Sequence, residues 1–320
     1  MRKPCIVLTG PTAVGKTKLS LSLAKALNGS IISADSMQIY KHMNIGSAKI
    51  LPEEMQGILH YLIDVLEPEA DFNVALFQKM ATKAMKEIYK TGKIPIVTGG
   101  NGFYIQALLK EVDFNRSSGA LSQYREKLKA EIVKKGPEYL YKLLAERDPQ
   151  IAQEIHPHNL KRIIRALEYY EETGWQISRH NEIQRKKTSP YCYVYFVLND
   201  DRDRLYCQID KRVDQMMKAG LLAEVKNLYD RGLTEQNVSM KGLGYKELFP
   251  FLRGEITLKE AVDVIKRNTR HFAKRQLTWF RREKEVIWLN KPEFSYNEQA
   301  ILDYMLNLWK KKLEEERERK

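Results

Sequence analysis

The sequence is sparing with cysteine, has no long apolar run and shows no internal repeat, and each absence removes a class of protein. Its three cysteines, Cys5, Cys192 and Cys207, stand far apart with no C-x-x-C spacing. That pattern argues for reduced thiols in a cytoplasmic protein and against a disulfide or zinc framework. No stretch approaches the roughly 18 apolar residues that a membrane span requires. Met1-Arg2-Lys3 has the charge of a signal n-region, yet the apolar run behind it stops at Thr9-Gly10. Neither secretion nor membrane spanning is therefore expected. Also missing is a clear strand of four apolar residues ending in Asp, the element a motor ATPase would need. That absence moves weight toward a small-molecule kinase or a transferase.

What is present starts with size and charge. A chain of 320 residues can bury a sizeable core, as two domains or as one domain carrying a large insertion. The net charge of +13 and a pI near 9.4 point to a polyanionic partner, although composition alone leaves a generally lysine-rich surface open. Residues 10–17 read Gly10-Pro11-Thr12-Ala13-Val14-Gly15-Lys16-Thr17, a full match to the phosphate-cradling pattern G-x-x-x-x-G-K-S/T. The glycines let backbone N–H groups turn inward around phosphate oxygens, the lysine reaches terminal phosphates, and Thr17 can hold Mg²⁺. The context fits: Cys5–Thr9 reads as a buried strand, and Lys16–Leu27 as a helix closed by Asn28-Gly29.

Further β-rich runs lie at 30–34, 94–98, 191–198 and 286–289, and a helical stretch at 72–90. This alternation predicts an α/β fold, a P-loop NTPase-like parallel sheet flanked by helices. Between about 114 and 188 only helical periodicity appears, over 121–135, 138–146, 149–155 and 160–172, so an all-helical domain is expected there, inserted into the core. The expected division is 1–113 and 189–292 for the discontinuous catalytic core, 114–188 for the insertion, and 293–320 for a C-terminal helical tail. From Trp309 onward that tail reads as a solvated helix end. Asn199-Asp200-Asp201 is expected to cap a long helix reaching Gly220, and 258–282 reads as another helix.

Several residues outside the loop have the chemistry to act with it. Asp35 follows the second strand and would face bound phosphates, to hold Mg²⁺, orient an acceptor or take its proton. Asp35-Ser36 is equally good helix-cap chemistry. Gly99-Gly100-Asn101-Gly102 permits close approach to a ligand at the same sheet edge, though glycines also end strands as plain turns. Arg212, beside the apolar face of its helix, is either a surface cation or a bidentate clamp on a departing phosphate. Eight basic residues fall between 266 and 284. There Ile265, Phe272 and Trp279 recur at seven-residue spacing as a docking face, leaving Arg267, Arg270 and Lys274 as a cationic stripe. A second basic set is Lys161, Arg162 and Arg165. Two such stripes favour nucleic acid over solvated charge.

With these residues assembled, the chain resembles the bacterial tRNA dimethylallyltransferases, or tRNA isopentenyltransferases, from Cys5 to about Leu289. The resemblance rests on the 10–17 loop, Ala34-Asp35-Ser36-Met37-Gln38-Ile39-Tyr40, Asn44-Ile45-Gly46-Ser47-Ala48-Lys49, His156-Pro157-His158-Asn159 through Arg165-Ala166-Leu167-Glu168, Gly244-Tyr245-Lys246, and Lys274 through Arg281. It implies transfer of the five-carbon unit of dimethylallyl diphosphate to N6 of the adenine immediately 3′ of the anticodon, in tRNAs that read codons beginning with U. By matching positions it implies Asp35 as general base, and Thr12 and Arg212 acting on the diphosphate. It implies tRNA contacts by Asp35, Ser36, Met37, Gln38, Asn101, Lys161, Arg162, Arg165, Lys241, Gly244, Tyr245, Lys246, Lys274, Arg275, Gln276, Trp279 and Arg281. Mg²⁺ on Thr17 is the implied cofactor, and the anticodon stem-loop and dimethylallyl diphosphate the implied partners. A cytoplasmic location is expected, and no obligatory protein partner is evident. Two departures stand out: Asn101 where the family usually has Thr, and Leu59-His60-Tyr61 where it usually has Pro-His-His. Two rivals remain at this stage. One is a P-loop small-molecule kinase with Asp35 orienting an acceptor hydroxyl. The other is a nucleotide-gated RNA-binding protein without catalysis.

Overall fold

The computed structural model describes residues 2–114 and 119–318. Six strands, β1 (Lys3–Thr9), β2 (Gly29–Ser33), β3 (His60–Tyr61), β4 (Ile94–Gly99), β5 (Tyr191–Asn199) and β6 (Val286–Asn290), form one sheet in the order β3-β2-β4-β1-β5-β6. Every pairing is parallel. β1 is central, with Ile6 in register with Ile96 on one side and Val194 on the other. Its side chains alternate between two cores, Cys5 and Val7 on one face and Ile6 and Leu8 on the other. A strand buried on both faces reads as an unbroken apolar run, as this one does.

Helices α1 (Lys16–Ala26), α2 (Val74–Lys90) and α3 (Gly102–Leu109) follow the first strands. Then come α4 (Gly119–Lys135), α5 (Pro137–Arg147), α6 (Pro149–Glu154), α7 (Leu160–Thr173) and α8 (Ile177–Lys186). After β5 the chain continues through α9 (Arg202–Lys218), α10 (Leu221–Asp230), α11 (Phe249–Leu252), α12 (Leu258–Phe280) and α13 (Glu298–Glu318). The chain divides into two compact units, 1–111 with 190–320, and 112–189. In the first, α2, α3, α10 and much of α12 close one face of the sheet, while α1 and α13 close the other. The second holds α4 to α8 around its own core of Leu128, Leu140, Leu144, Ile151, Ile163 and Leu167. There Arg125 donates from Nε and Nη2 to the two carboxylate oxygens of the buried Glu168, at 2.5 and 2.8 Å, and ties α4 to α7.

Several expectations are corrected. The C-terminal segment is no solvated tail. Ile301, Leu302, Met305 and Trp309 are buried at helical spacing in the second core, and Glu316 accepts two side-chain hydrogen bonds from Arg2. Residues 319 and 320 lie outside the described residues. The 99–102 glycines do line a cleft, as expected, and Asn101 among them also caps α3 by accepting from the Tyr104 N–H. Asp201 makes no side-chain cap on α9 and instead accepts from the Tyr296 hydroxyl. On α12 Ile265 docks as expected and Trp279 packs half-buried against the core, but the buried face is completed by Ala261, Ala273, Gln276 and Phe280, and Phe272 is only half-buried. The helix starts with a capping box, Thr257 and Glu260 bonding each other's backbone N–H.

Candidate active site

Parallel strands deliver their C-terminal ends to one edge, and the first unit carries a cleft there of about 730 Å³. β1 leads into the phosphate loop, β2 into Asp35, and β4 into Asn101. Gly15 has φ +101°, a conformation that costs an L side chain, and as the N-cap of α1 it offers no side chain to the first-turn amides, which have no partner within a helix. Thr12, Ala13, Gly15, Lys16 and Thr17 line the cleft, whereas Gly10, Pro11 and Val14 are buried beneath the loop.

Lys16 folds back so that Nζ donates to the carbonyls of Gly10 and Pro11, at 3.0 and 2.7 Å. Desolvation, reinforced by the neighbouring Arg212 and opposed by Asp35, pulls its pKa down to about 7. Arg212 makes no ion pair among the described residues, and desolvation lowers its pKa while Asp35 raises it. A desolvated guanidinium with no carboxylate on it is an anion site in waiting. Asp35 realises the cap reading on one oxygen only: Oδ1 accepts from the N–H groups of Met37 and Gln38, at 2.8 and 3.4 Å. Oδ2 makes no hydrogen bond among the described residues, which leaves one carboxylate oxygen for a ligand.

The remaining predicted residues separate into three groups. Ser36, Met37, Gln38, Asn101, Lys241, Gly244, Lys246, Arg275, Gln276 and Trp279 all line the cleft. Lys274 and Arg281 are exposed but do not line it, and Lys161, Arg162 and Arg165 belong to the second unit, the first two exposed. Two of these side chains are engaged within the protein itself. Tyr245 is fully buried, with its hydroxyl on Glu224. Gln276 is 6% exposed and bonded at both ends, accepting from the Thr12 N–H and donating to the Gly100 carbonyl, each at 2.9 Å. It fastens the phosphate loop to the turn after β4. The cationic stripe is also thinner than expected, because Arg270 pairs with Asp210, while Lys266 beside it pairs with Asp214.

Sequence reasoning missed Gln208 and Met216, which line the cleft one turn either side of Arg212 on α9. The i, i+4 spacing was the available signal. It also missed Phe103 and the apolar wall it forms with Met37, Phe272 and Trp279. Trp279 lies so close to Gly102 that a Cβ there would fall 2.1 Å from the indole. Its Nε1 is buried with no hydrogen-bond partner among the described residues. Behind the loop, Lys291 sits 3.6 Å from the buried Asp200 and donates to the Val14 carbonyl at 3.3 Å.

Comparison with known proteins agrees with this geometry. The family model described as IPP transferase matches residues 38–283. The chain is 54% identical over 306 residues to a tRNA dimethylallyltransferase of Lachnoclostridium phytofermentans, covering 96% of this chain and 97% of that protein. It is 48% identical over 296 residues to one of Acetivibrio thermocellus, covering 92% and 94%. Among solved structures it is similar to the full-length tRNA isopentenylpyrophosphate transferase of Bacillus halodurans, at TM-score 0.73 and 41% identity, over 99% of this chain and 100% of that one. It is also similar to a eukaryotic dimethylallyltransferase acting on tRNA, at TM-score 0.77 and 31% identity, over 90% of this chain and 74% of that one.

Proposed function

This chain belongs to the IPP transferase family, and from that premise we propose that it transfers the dimethylallyl group of dimethylallyl diphosphate to N6 of a tRNA adenine. The acceptor is the adenine 3′-adjacent to the anticodon in tRNAs reading codons beginning with U. The observation that carries the reading is the meeting, in one cleft, of a phosphate loop, a half-buried arginine with no ion pair among the described residues, and a carboxylate with one oxygen left over, beside an apolar wall. A small-molecule kinase on the same loop is set aside, because the relatives match over nearly the whole chain and are transferases acting on tRNA by name.

The residues divide the work. The exocyclic amine of adenine is a poor nucleophile, so the reaction leans on the leaving group. As the allylic C–O bond breaks, negative charge grows on the diphosphate, and the loop amides, Lys16, Arg212 and the Thr12 hydroxyl meet it. The new bond forms between N6 and the allylic carbon, and Asp35 accepts the proton that N6 sheds. Met37, Phe103, Phe272 and Trp279 give the five-carbon chain an apolar wall and exclude water. Lys241, Lys246, Lys274, Arg275 and Arg281 offer charge to RNA phosphates, as do Lys161, Arg162 and Arg165 on the second unit. The acceptor base must leave its stack, which costs less in a single-stranded anticodon loop than in a duplex.

Mg²⁺ fits at one residue. Thr17 is exposed in the cleft and its hydroxyl has no partner among the described residues, which suits an ion held mainly by substrate phosphate oxygens and water. Among those residues no cluster of three His, Cys, Asp or Glu side chains is placed to cage a metal. Bound there, the ion would offset charge on the departing diphosphate. None of the described helices is long and apolar enough to cross a membrane, and work on tRNA suits a cytoplasmic location. The proposal is tested by incubating the chain with dimethylallyl diphosphate and unmodified tRNA, then weighing the nucleosides. Adenosine heavier by one five-carbon unit is expected, and unmodified adenosine throughout would contradict it.

A further inference from the structure

We propose that Glu224, which nothing above places in the reaction, is the positioning residue for the acceptor side of the cleft. The inference rests on the transferase reading, since it assigns a role within that same site. Glu224 stands in the first turn of α10 and does not line the cleft. Its carboxylate is nonetheless saturated with donors. Oε2 accepts from the N–H groups of Asn44 and Ile45, each at 2.8 Å, and Oε1 from the Gly46 N–H at 3.0 Å and the Tyr245 hydroxyl at 2.7 Å. Three consecutive amides closing on one carboxylate form an anion nest filled by the protein itself, with charge-assisted bonds.

Two wall segments meet at this carboxylate. Gly46, Ser47 and Ala48 line the cleft on one, and Lys241, Gly244 and Lys246 on the other, with Tyr245 between them. The tyrosine ring presses on Gly46 so closely that a Cβ there would fall 2.5 Å from a ring atom. The turn is held from within as well, because Lys49 Nζ donates to the Tyr40 carbonyl at 2.6 Å and to Asn44 Oδ1 at 2.9 Å.

The direction of influence follows from what the turn touches next. Gln38 Nε2 donates to the carbonyls of Ser47 and Ala48, both at 3.4 Å, and the Gln38 backbone N–H donates to Asp35 Oδ1. A continuous set of hydrogen bonds thus runs from Glu224 through the 44–48 turn and Gln38 to the proposed base. The phosphate loop is fastened separately, through Gln276 and Lys291. Glu224 therefore sets the acceptor wall and the base while leaving the diphosphate cradle alone.

Steady-state kinetics with the full chain separates the two sides. In Glu224→Ala the KM for an anticodon stem-loop is expected to rise about tenfold, the scale of one lost charge-assisted bond network. The KM for dimethylallyl diphosphate should stay within about twofold, and Glu224→Gln, which keeps the size and one acceptor oxygen, should recover part of the loss. Hydrogen exchange at the amides of 44–46 should quicken in the same variants. Tyr245→Phe keeps the ring and removes one bond, so a smaller rise in the same KM is expected even if Glu224→Ala fails to fold. An unchanged stem-loop KM overturns the inference. So does a fall in which both KM values and the melting temperature worsen together, since that marks general loosening. No transfer by the unaltered chain instead overturns the transferase reading, and this is read before any variant is made.

Discussion

Asp35 is the residue on which the chemistry turns, because one oxygen holds the chain and the other is left for the acceptor. Asp35→Ala should abolish transfer with stem-loop affinity nearly intact, measured by single-turnover assay and titration. Arg212→Ala should lower kcat by about 10²–10³, the loss typical of one donor aimed at developing negative charge. Lys16 supplies a pH prediction. Its pKa, near 7, lies below the ordinary 10.5, so charging it destabilises the fold below about pH 7, and stability recovers as pH rises from there toward 10.5. A bound diphosphate favours the charged form, so binding an unreactive analogue of the donor at pH 8 should take up a proton, and at pH 6 almost none. Calorimetry in buffers of different ionisation heat measures this, and Lys16→Arg should lose the uptake. At this scale the phosphate loop was legible because its function lies in eight consecutive residues. The engagement of Gln276 with Thr12 was not, because 264 residues separate them and only the sheet topology brings them together.

The element scale explains where amphipathic reading succeeded and failed. β1, β4 and β5 are buried on both faces, so their apolar runs announced them; β3 is two residues long and carries no such signal. On α12 a seven-residue recurrence chose Ile265, Phe272 and Trp279 as the docking face. Ile265 is buried and Trp279 packs against the core as that reading has it, but the helix also buries positions 261, 273, 276 and 280, and Phe272 and Trp279 line the cleft. Small Ala273 and polar Gln276 hid that face from a hydrophobicity count. Its basic residues divide likewise. Lys266 and Arg270 bind Asp214 and Asp210 of α9, half-exposed pairs worth about 1 kcal/mol or less each. Lys274 is exposed and pairs with nothing among the described residues. Lys274→Ala should therefore weaken tRNA binding and flatten its salt dependence by about one phosphate contact. An unchanged slope would place that lysine in solvent.

At the scale of the whole molecule, the helical segment was legible from its lack of strand periodicity, and the structure sets its limits at 112 and 189. The fate of α13 was not legible. A sequence ending in mixed lysine, arginine and glutamate looks solvated, yet Trp309 and Met305 lie in the core of the first unit, and Glu316 meets Arg2 at the opposite end of the chain. The net charge of +13 becomes meaningful only beside the site, where a phosphate cradle and a carboxylate face one cleft. The most direct measurement is label transfer from radioactive dimethylallyl diphosphate, with Mg²⁺, into two anticodon stem-loops, one with adenine and one with guanine at the position 3′ of the anticodon. Label in the adenine loop alone is the predicted result. No label in either loop, from a chain that instead transfers phosphate from ATP, would contradict the account and return Asp35 to the role of orienting a kinase acceptor.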